Sequence, residues 1–211
     1  MTMDIEIWLN HFYPKILSDF GFSREDDERA AKLMHELGWE KLLDSSILFE
    51  RIKDKDVIVI GGAVNESDIK MLKGSSCVKI TAGKSILKIR EIILNFTPDL
   101  HVTDMEEPDE LLIELERQGC ILVLHAHGDN IDRIRSVVPK LGRFLATTQS
   151  QPFNRIYNFG GFTDGDRAAI IAKTFGAKSI RLVGFDFDRA EGIKLKKLRW
   201  AKKILEFEGL L

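Results

Sequence analysis

The stretch GGFTDGDRAA, residues 160–169, sets two carboxylates, Asp164 and Asp166, behind a glycine pair and directly ahead of an apolar helical repeat. Two chemistries suit that spacing. An acid at a helix start caps free amides. Acids at the same mouth, where unpaired N–H groups and the positive end of the helix dipole point outward, can instead form the floor of a metal–phosphate site. One cap accounts for one acid but not for a second, nor for Gly160 and Gly161, which let a ligand approach the backbone. Asp164 and Asp166 are therefore candidate catalytic residues with capping as the alternative, and Gly160, Gly161 and Thr163 are candidate ligand contacts.

Other segments carry related chemistry. HVTDMEEP puts Asp104 and Glu106 two residues apart where a strand gives way to a loop, so their side chains share a direction. Such hard oxygen ligands suit Mg2+, which takes one or two carboxylates and fills its other positions with water and substrate phosphates. Glu107 and Asp109 read instead as first-turn acids of a helix opened by Pro108. HAHGDN carries His125 and His127 with no third His or Cys at metal spacing, so they read as donors to a phosphate or a polar substrate edge, with a structural pair as the alternative. Gly61 and Gly62 in VIGGAV, and Gly83 and Lys84 in TAGKS, stand between strand and helix. TAGKS is not a P-loop, because Val78 occupies the position of the required first glycine. Its amides can still meet an anion at a helix N-terminus. For Gly61 and Gly62 a plain turn, with Asn65 or Ser67 capping the next helix, competes with a phosphate contact.

These segments need a frame that gathers them. Short apolar runs at 57–61, 77–81, 100–104, 120–126, 144–148, 156–159 and 180–185 alternate with helical patterns at 66–73, 84–94, 108–118, 129–138 and 164–175. Strands apolar on both faces, alternating with helices, predict an α/β fold with a mostly parallel sheet flanked by helices. In such sheets ligands bind beyond the carboxyl ends of the strands, where every acid, histidine and glycine named above falls. Residues 1–53 carry only helical periodicity, with Ser23 as a start and Gly38 as a stop, and predict an N-terminal helical region before an α/β domain at 54–211. That domain closes with a basic helix whose stripe is Leu195, Leu198, Ala201, Ile204 and Leu205.

Composition bounds the partners. The 211 residues are 44% hydrophobic and 30% charged, and 31 Lys+Arg against 33 Asp+Glu leave a net charge of -2, so no basic field points to nucleic acid. No apolar run is long enough to span a bilayer. Cys77 and Cys120 lack CxxC spacing and read as reduced, buried thiols of a cytoplasmic protein; a homodimer is allowed.

LHAHGDN, TTQ, NFGGFTDGDRAAIIAKTFGAKSIRLVGFDF and KLKKLRWAKKIL resemble, in order, signature segments of the archaeal 6-hydroxymethyl-7,8-dihydropterin pyrophosphokinase family, related in fold to thiamin pyrophosphokinases. The resemblance covers about residues 54–205, and NFGGFTDGDRA is its specific part. It implies a thiamin pyrophosphokinase-like catalytic fold and an enzyme that, with Mg2+, moves diphosphate from ATP to the hydroxymethyl oxygen of a reduced pterin and releases AMP. It also implies that Asp104, Glu106 and Asp164 hold the metal. Gly61, Gly62, Gly83, Lys84, His125, His127, Thr147, Thr148, Gln149, Gly160, Gly161 and Thr163 are then expected around the nucleotide. The chain departs from the family pattern at Ala82, where an aspartate is usual, and at Glu106, where the family has Asp. A thiamin pyrophosphokinase-like enzyme, another nucleotide-dependent transferase and a non-catalytic nucleotide-binding module remain the alternatives.

Overall fold

A computed structural model describes residues 3–72 and 74–211. Seven strands form one all-parallel sheet: β1 (Asp56–Ile60), β2 (Val78–Ala82), β3 (Leu100–Thr103), β4 (Ile121–Ala126), β5 (Leu145–Thr148), β6 (Ile156–Tyr157) and β7 (Ser179–Val183). Among the described residues ten α-helices accompany them: α1 (Ile5–Ile7), α2 (Tyr13–Phe20), α3 (Arg24–Gly38), α4 (Ser46–Ile52), α5 (Glu66–Leu72), α6 (Ser85–Ile92), α7 (Asp109–Arg117), α8 (Ile131–Val137), α9 (Asp164–Thr174) and α10 (Gly192–Phe207). The expected parallel α/β architecture is observed. The helix expected at 66–73 is α5; Lys73 itself lies outside the described residues.

The sheet order is β6-β5-β4-β3-β2-β1-β7. The chain steps outward from β1 to β6, then returns to place β7 on the free side of β1. The order therefore reverses between β1 and β7, and the crevice beyond the carboxyl ends of strands at such a reversal is where open α/β sheets take ligands.

Burial explains why the strands read as continuous apolar runs. Ile121 and Val123 of β4 face a cluster with Ala168, Ile171 and Ala172 of α9, while Leu122 and Leu124 face the opposite cluster with Ala30 and Met34 of α3 and Leu112 of α7. Residues before position 54 thus share the cores of the sheet on both faces, since Leu48 and Ile52 of α4 join the α9 side. On α10, Ala201, Ile204 and Leu205 of the expected stripe are fully packed, and Leu195 and Leu198 are half-buried.

Two local readings change. The helix expected across IWLNHFYPKIL is interrupted by a π-helical turn, Trp8–Phe12, just ahead of Pro14, which has no N–H for an intrahelical bond. Gly38 does end α3, but with φ -125 rather than a left-handed cap. A Cβ there would lie 2.6 Å from the Phe144 ring, so close packing on the sheet requires the glycine.

Candidate active site

The predicted capping-or-catalysis ambiguity at 164–166 resolves into a division of labour. Both oxygens of Asp166 accept backbone N–H bonds, Oδ1 from Thr163 at 2.7 Å and Oδ2 from Phe162 at 2.8 Å, and the Thr163 hydroxyl donates to Oδ1 as well. The residue is wholly buried. Asp166 is the cap, and its carboxylate has no oxygen left to face the cavity.

Asp164, at the first position of α9, turns outward. Its Oδ1 pairs with Arg167 Nη1 at 3.2 Å, and the same nitrogen stands 3.9 Å from Asp104 Oδ1. The far side of Asp104 meets His127 Nε2 at 3.2 Å. Burial and then the charge of Asp104 push the Asp164 carboxyl well above its ordinary range. Burial acts on Asp104 in the same direction, but His127, His125 and Arg167 outweigh it and hold that carboxyl below its ordinary range. The shared surroundings thus favour the ionised form of Asp104 and the protonated form of Asp164. Asp104 Oδ1 is buried and has no hydrogen-bond partner. A buried acceptor left open at the carboxyl end of a strand is a place for a cation or a donor of substrate.

The turn after β3 is built to present Asp104. Met105 sits at φ 65 with its side chain buried, its N–H donates to Thr103 Oγ1 at 2.8 Å, and Thr103 Oγ1 donates to Glu107 Oε2 at 2.5 Å. Burial works against the Glu107 carboxylate, yet His101 and Thr103 keep it ionised below its ordinary range. The expected first-turn role fits Asp109, which pairs with Arg133 and Lys140. It does not fit Glu107, which is an internal strut.

A cavity of about 460 Å³ opens at the β1–β7 reversal. Gly62, Gly83, Lys84, Lys88, Glu106 and Asp164 line one end. A Cβ on Gly83 would stand 2.8 Å from Asp164 Oδ2, so this turn (φ +50) must be glycine for the carboxylate to lie where it does. Lys84 Nζ pairs with Glu106 at 2.8 Å in the open. From α10, Lys194 and Lys197 of the expected basic face also reach the cavity wall. A second hollow of about 430 Å³ lies between α3 and α8 and contains no strand-end residue.

Several expected contacts lie elsewhere. Gln149 Nε2 donates to Asp27 Oδ2 at 2.8 Å, and Gln149 O accepts from Trp8 Nε1, so this side chain binds the N-terminal helices. Asp27 also accepts from Tyr13 Oη at 2.7 Å and from the Gly128 N–H at 2.8 Å, which anchors the loop carrying His127. Thr147 Oγ1 bonds His125 Nδ1 at 3.0 Å and Thr148 Oγ1 bonds Ser150, all inside the fold. Burial, then Arg167, holds His125 neutral, well below its usual pKa. The open space at Gly160 and Gly161 is filled by the chain itself: a Cβ on the first would meet Met3, and on the second the Arg167 backbone at 2.6 Å. Gly61, by contrast, lies beside the Phe185 ring and, with Thr163, lines the cavity as expected of a ligand contact.

Among the described residues no group of three or more His, Cys, Asp or Glu side chains gathers as a metal centre. Asp104 and Asp164 are brought together, while Glu106 is held by Lys84. Arg167, Lys88 and Phe185 were not singled out by spacing. Arg167 lies within a helical repeat, and its role appears only when β3 is placed beside α9.

A parallel sheet with Asp164, Glu106, Lys84 and Lys88 around the cavity at its switch point defines an open α/β protein with a charged crevice at the strand ends. The chain belongs to the family described as 6-hydroxymethylpterin diphosphokinase MptE-like, whose model matches residues 33–192. It is 37% identical to the 6-hydroxymethyl-7,8-dihydropterin pyrophosphokinase of Pyrococcus furiosus, over 93% of this chain and 90% of that protein. Proteins of the same name from Methanothermobacter thermautotrophicus and Methanocaldococcus jannaschii are 34% and 33% identical, each over 97% of this chain and 95% of their own length. No helix among the described residues is long and apolar enough to cross a membrane.

Proposed function

We propose that the protein transfers diphosphate from ATP to the hydroxymethyl group of 6-hydroxymethyl-7,8-dihydropterin. The hydroxymethyl oxygen bonds to the β-phosphorus, the bond from that phosphorus to the α–β bridging oxygen breaks, AMP leaves with the bridging oxygen, and the hydroxyl proton passes to water. The observation that carries this reading is Asp164 lining the switch-point cavity with Lys84, and tied through Arg167 to Asp104 behind it, in a chain that is 37% identical to a named pyrophosphokinase.

Transfer of this kind demands positioning and charge neutralisation more than covalent help. Lys84 and Lys88 meet phosphate oxygens, and the α9 amides left free by the Asp166 cap face the same space. Mg2+ fits the donor set: Asp104 Oδ1 is buried without a partner, Asp164 is adjacent, and both offer hard oxygens. Asp104 and Asp164 would hold the ion, and Glu106 would join only by leaving Lys84. When bound, it neutralises charge that develops on the phosphates. Asp166 supports the site as the cap that aims α9, and His127 orients Asp104. The helices at 1–53 steady the His127 loop through Asp27, and the strand-end residues at 54–211 provide the chemistry.

Incubation with ATP, Mg2+ and the dihydropterin is expected to yield AMP and the pterin diphosphate, and EDTA is expected to stop the reaction. Formation of ADP alone, or turnover undiminished by EDTA, overturns the reading.

A further inference from the structure

The cavity also has an aromatic wall. It is formed by the turn after β7 and by α10, where Phe185, Phe187, Leu198 and Ala201 stand beside Asp186, Arg189, Lys194 and Lys197. This turn is built with care. Gly184 has φ +70, and a Cβ on it would come within 2.3 Å of the Val64 nitrogen, so β7 must leave the sheet through a glycine at this point. Asp186 Oδ1 accepts the N–H groups of Asp188 and Arg189 at 3.1 and 3.0 Å, which closes the turn on itself.

The closed turn delivers the Phe185 ring onto two glycines from different elements. Its carbons lie 3.1 Å from the place a Cβ would occupy on Gly61, after β1, and 3.0 Å from that place on Gly165, in the first turn of α9. Side chains at either position would push the ring out. Two glycines thus seat the phenyl ring, Gly61 at Cδ2 and Cε2 and Gly165 at Cε1 and Cζ, and the half-buried ring lines the cavity. Phe187 stands 5.9 Å away, centroid to centroid, tilted by 50°, as a second wall.

We propose that Phe185 is the stacking platform for a flat heteroaromatic ring, so that the cavity takes a substrate ring at its β7 end and phosphates at its Lys84–Asp164 end. This rests on the diphosphate-transfer reading, in which both substrates, a purine nucleotide and a pterin, bring such a ring. Stacking of a base on an aromatic side chain is sequence-tolerant because every such ring has a π-face. The apolar patch from Leu198 and Ala201 suits that mode of contact.

The test is equilibrium titration, which needs no chemistry. Wild type, Phe185→Leu and Phe187→Leu are titrated with AMP in one arm and with 6-hydroxymethylpterin in the other, and their melting temperatures are compared. Phe185→Leu keeps apolar bulk over the glycines but removes the π-face, so one ligand is expected to bind roughly tenfold more weakly or worse while the other is little changed. The ligand that loses affinity identifies the ring; Phe187→Leu, which leaves the Gly61–Gly165 seat untouched, is expected to weaken the same ligand to a smaller extent. Unchanged binding of both ligands, or equal loss of both together with a lowered melting temperature, overturns the proposal. Failure of the diphosphate-transfer reading would leave ring binding in place, and failure of this subsite would leave AMP formation by the wild type in place.

Discussion

Asp164 Oδ2 occupies the space into which a side chain on Gly83 would project, 2.8 Å from the position of its Cβ. The turn after β2 and the start of α9 are therefore shaped to one another. Gly83→Ala is expected to cost about 1 kcal/mol or more because of the left-handed backbone, and to swing the Asp164 carboxylate off Arg167. Turnover should fall at least about tenfold, as expected when a charged group leaves its working position. AMP formation beside a melting curve checks this, and wild-type turnover would show that Asp164 need not stay where it is.

Asp164 and Asp166 should respond oppositely to the same change. Asp164→Asn removes a half-buried group whose ionised form Asp104 already disfavours, so stability is expected to hold or rise, while turnover falls about a hundred- to a thousand-fold, roughly 3–4 kcal/mol. Asp166→Asn places an amide N–H against one of two backbone N–H groups, and is expected to cost about 1–3 kcal/mol of stability, with turnover reduced mainly through that loss. Melting temperature and turnover for both variants separate the roles. A stable but inactive Asp166→Asn protein would return Asp166 to the chemistry.

The His127–Asp104 pair ties stability to pH. Burial opposes the charged imidazolium, yet Asp104 overcomes this and raises the folded pKa above the ordinary 6.5. Its contribution is therefore complete below the unfolded value and disappears as pH rises through the folded one. Asp104 remains ionised throughout that window, being held below its ordinary range. Wild type is expected to melt above His127→Gln near pH 5 to 6, and the gap is expected to narrow by about pH 9. A gap that widens with pH would mean that the folded protein disfavours the imidazolium.

Removal of α10 should affect fold and reaction together. Ile204 and Leu205 are fully buried, and Lys194 and Lys197 line the cavity. Two such side chains represent about 3–6 kcal/mol of burial, so truncation before Lys194 is expected to lower the melting temperature by roughly 10 °C or more. An unchanged melting curve would show that the helix is not docked.

The sheet was legible in the sequence because parallel strands are buried on both faces and leave uninterrupted apolar runs, as in CILVLHA. The acids were legible because they end those runs. Division of function within an acidic pair was not, since Asp164 and Asp166 differ only in which way a helix start aims them. Phe185 read as the last residue of a strand, because IRLVGF is apolar throughout, and only the backbone of Gly184 reveals a turn. Asp27 lies 101 residues from Gly128, and no spacing rule reaches that far. The TTQ segment is polar at a strand end, as a ligand contact would be. It is covered because helices from before position 54 fold over it.

The exposed Lys84–Glu106 pair contributes little to stability, but it gives the lysine a resident counter-ion. An arriving polyphosphate must exchange places with a tethered carboxylate instead of stripping small ions from solution. A singly charged anion gains almost nothing from that exchange, whereas a multiply charged one can outcompete Glu106 and still reach Lys88. If Lys84 takes polyphosphate as proposed, the mouth is expected to select by anion valence, and occupancy of this lysine should vary less with ionic strength than that of a bare surface cation.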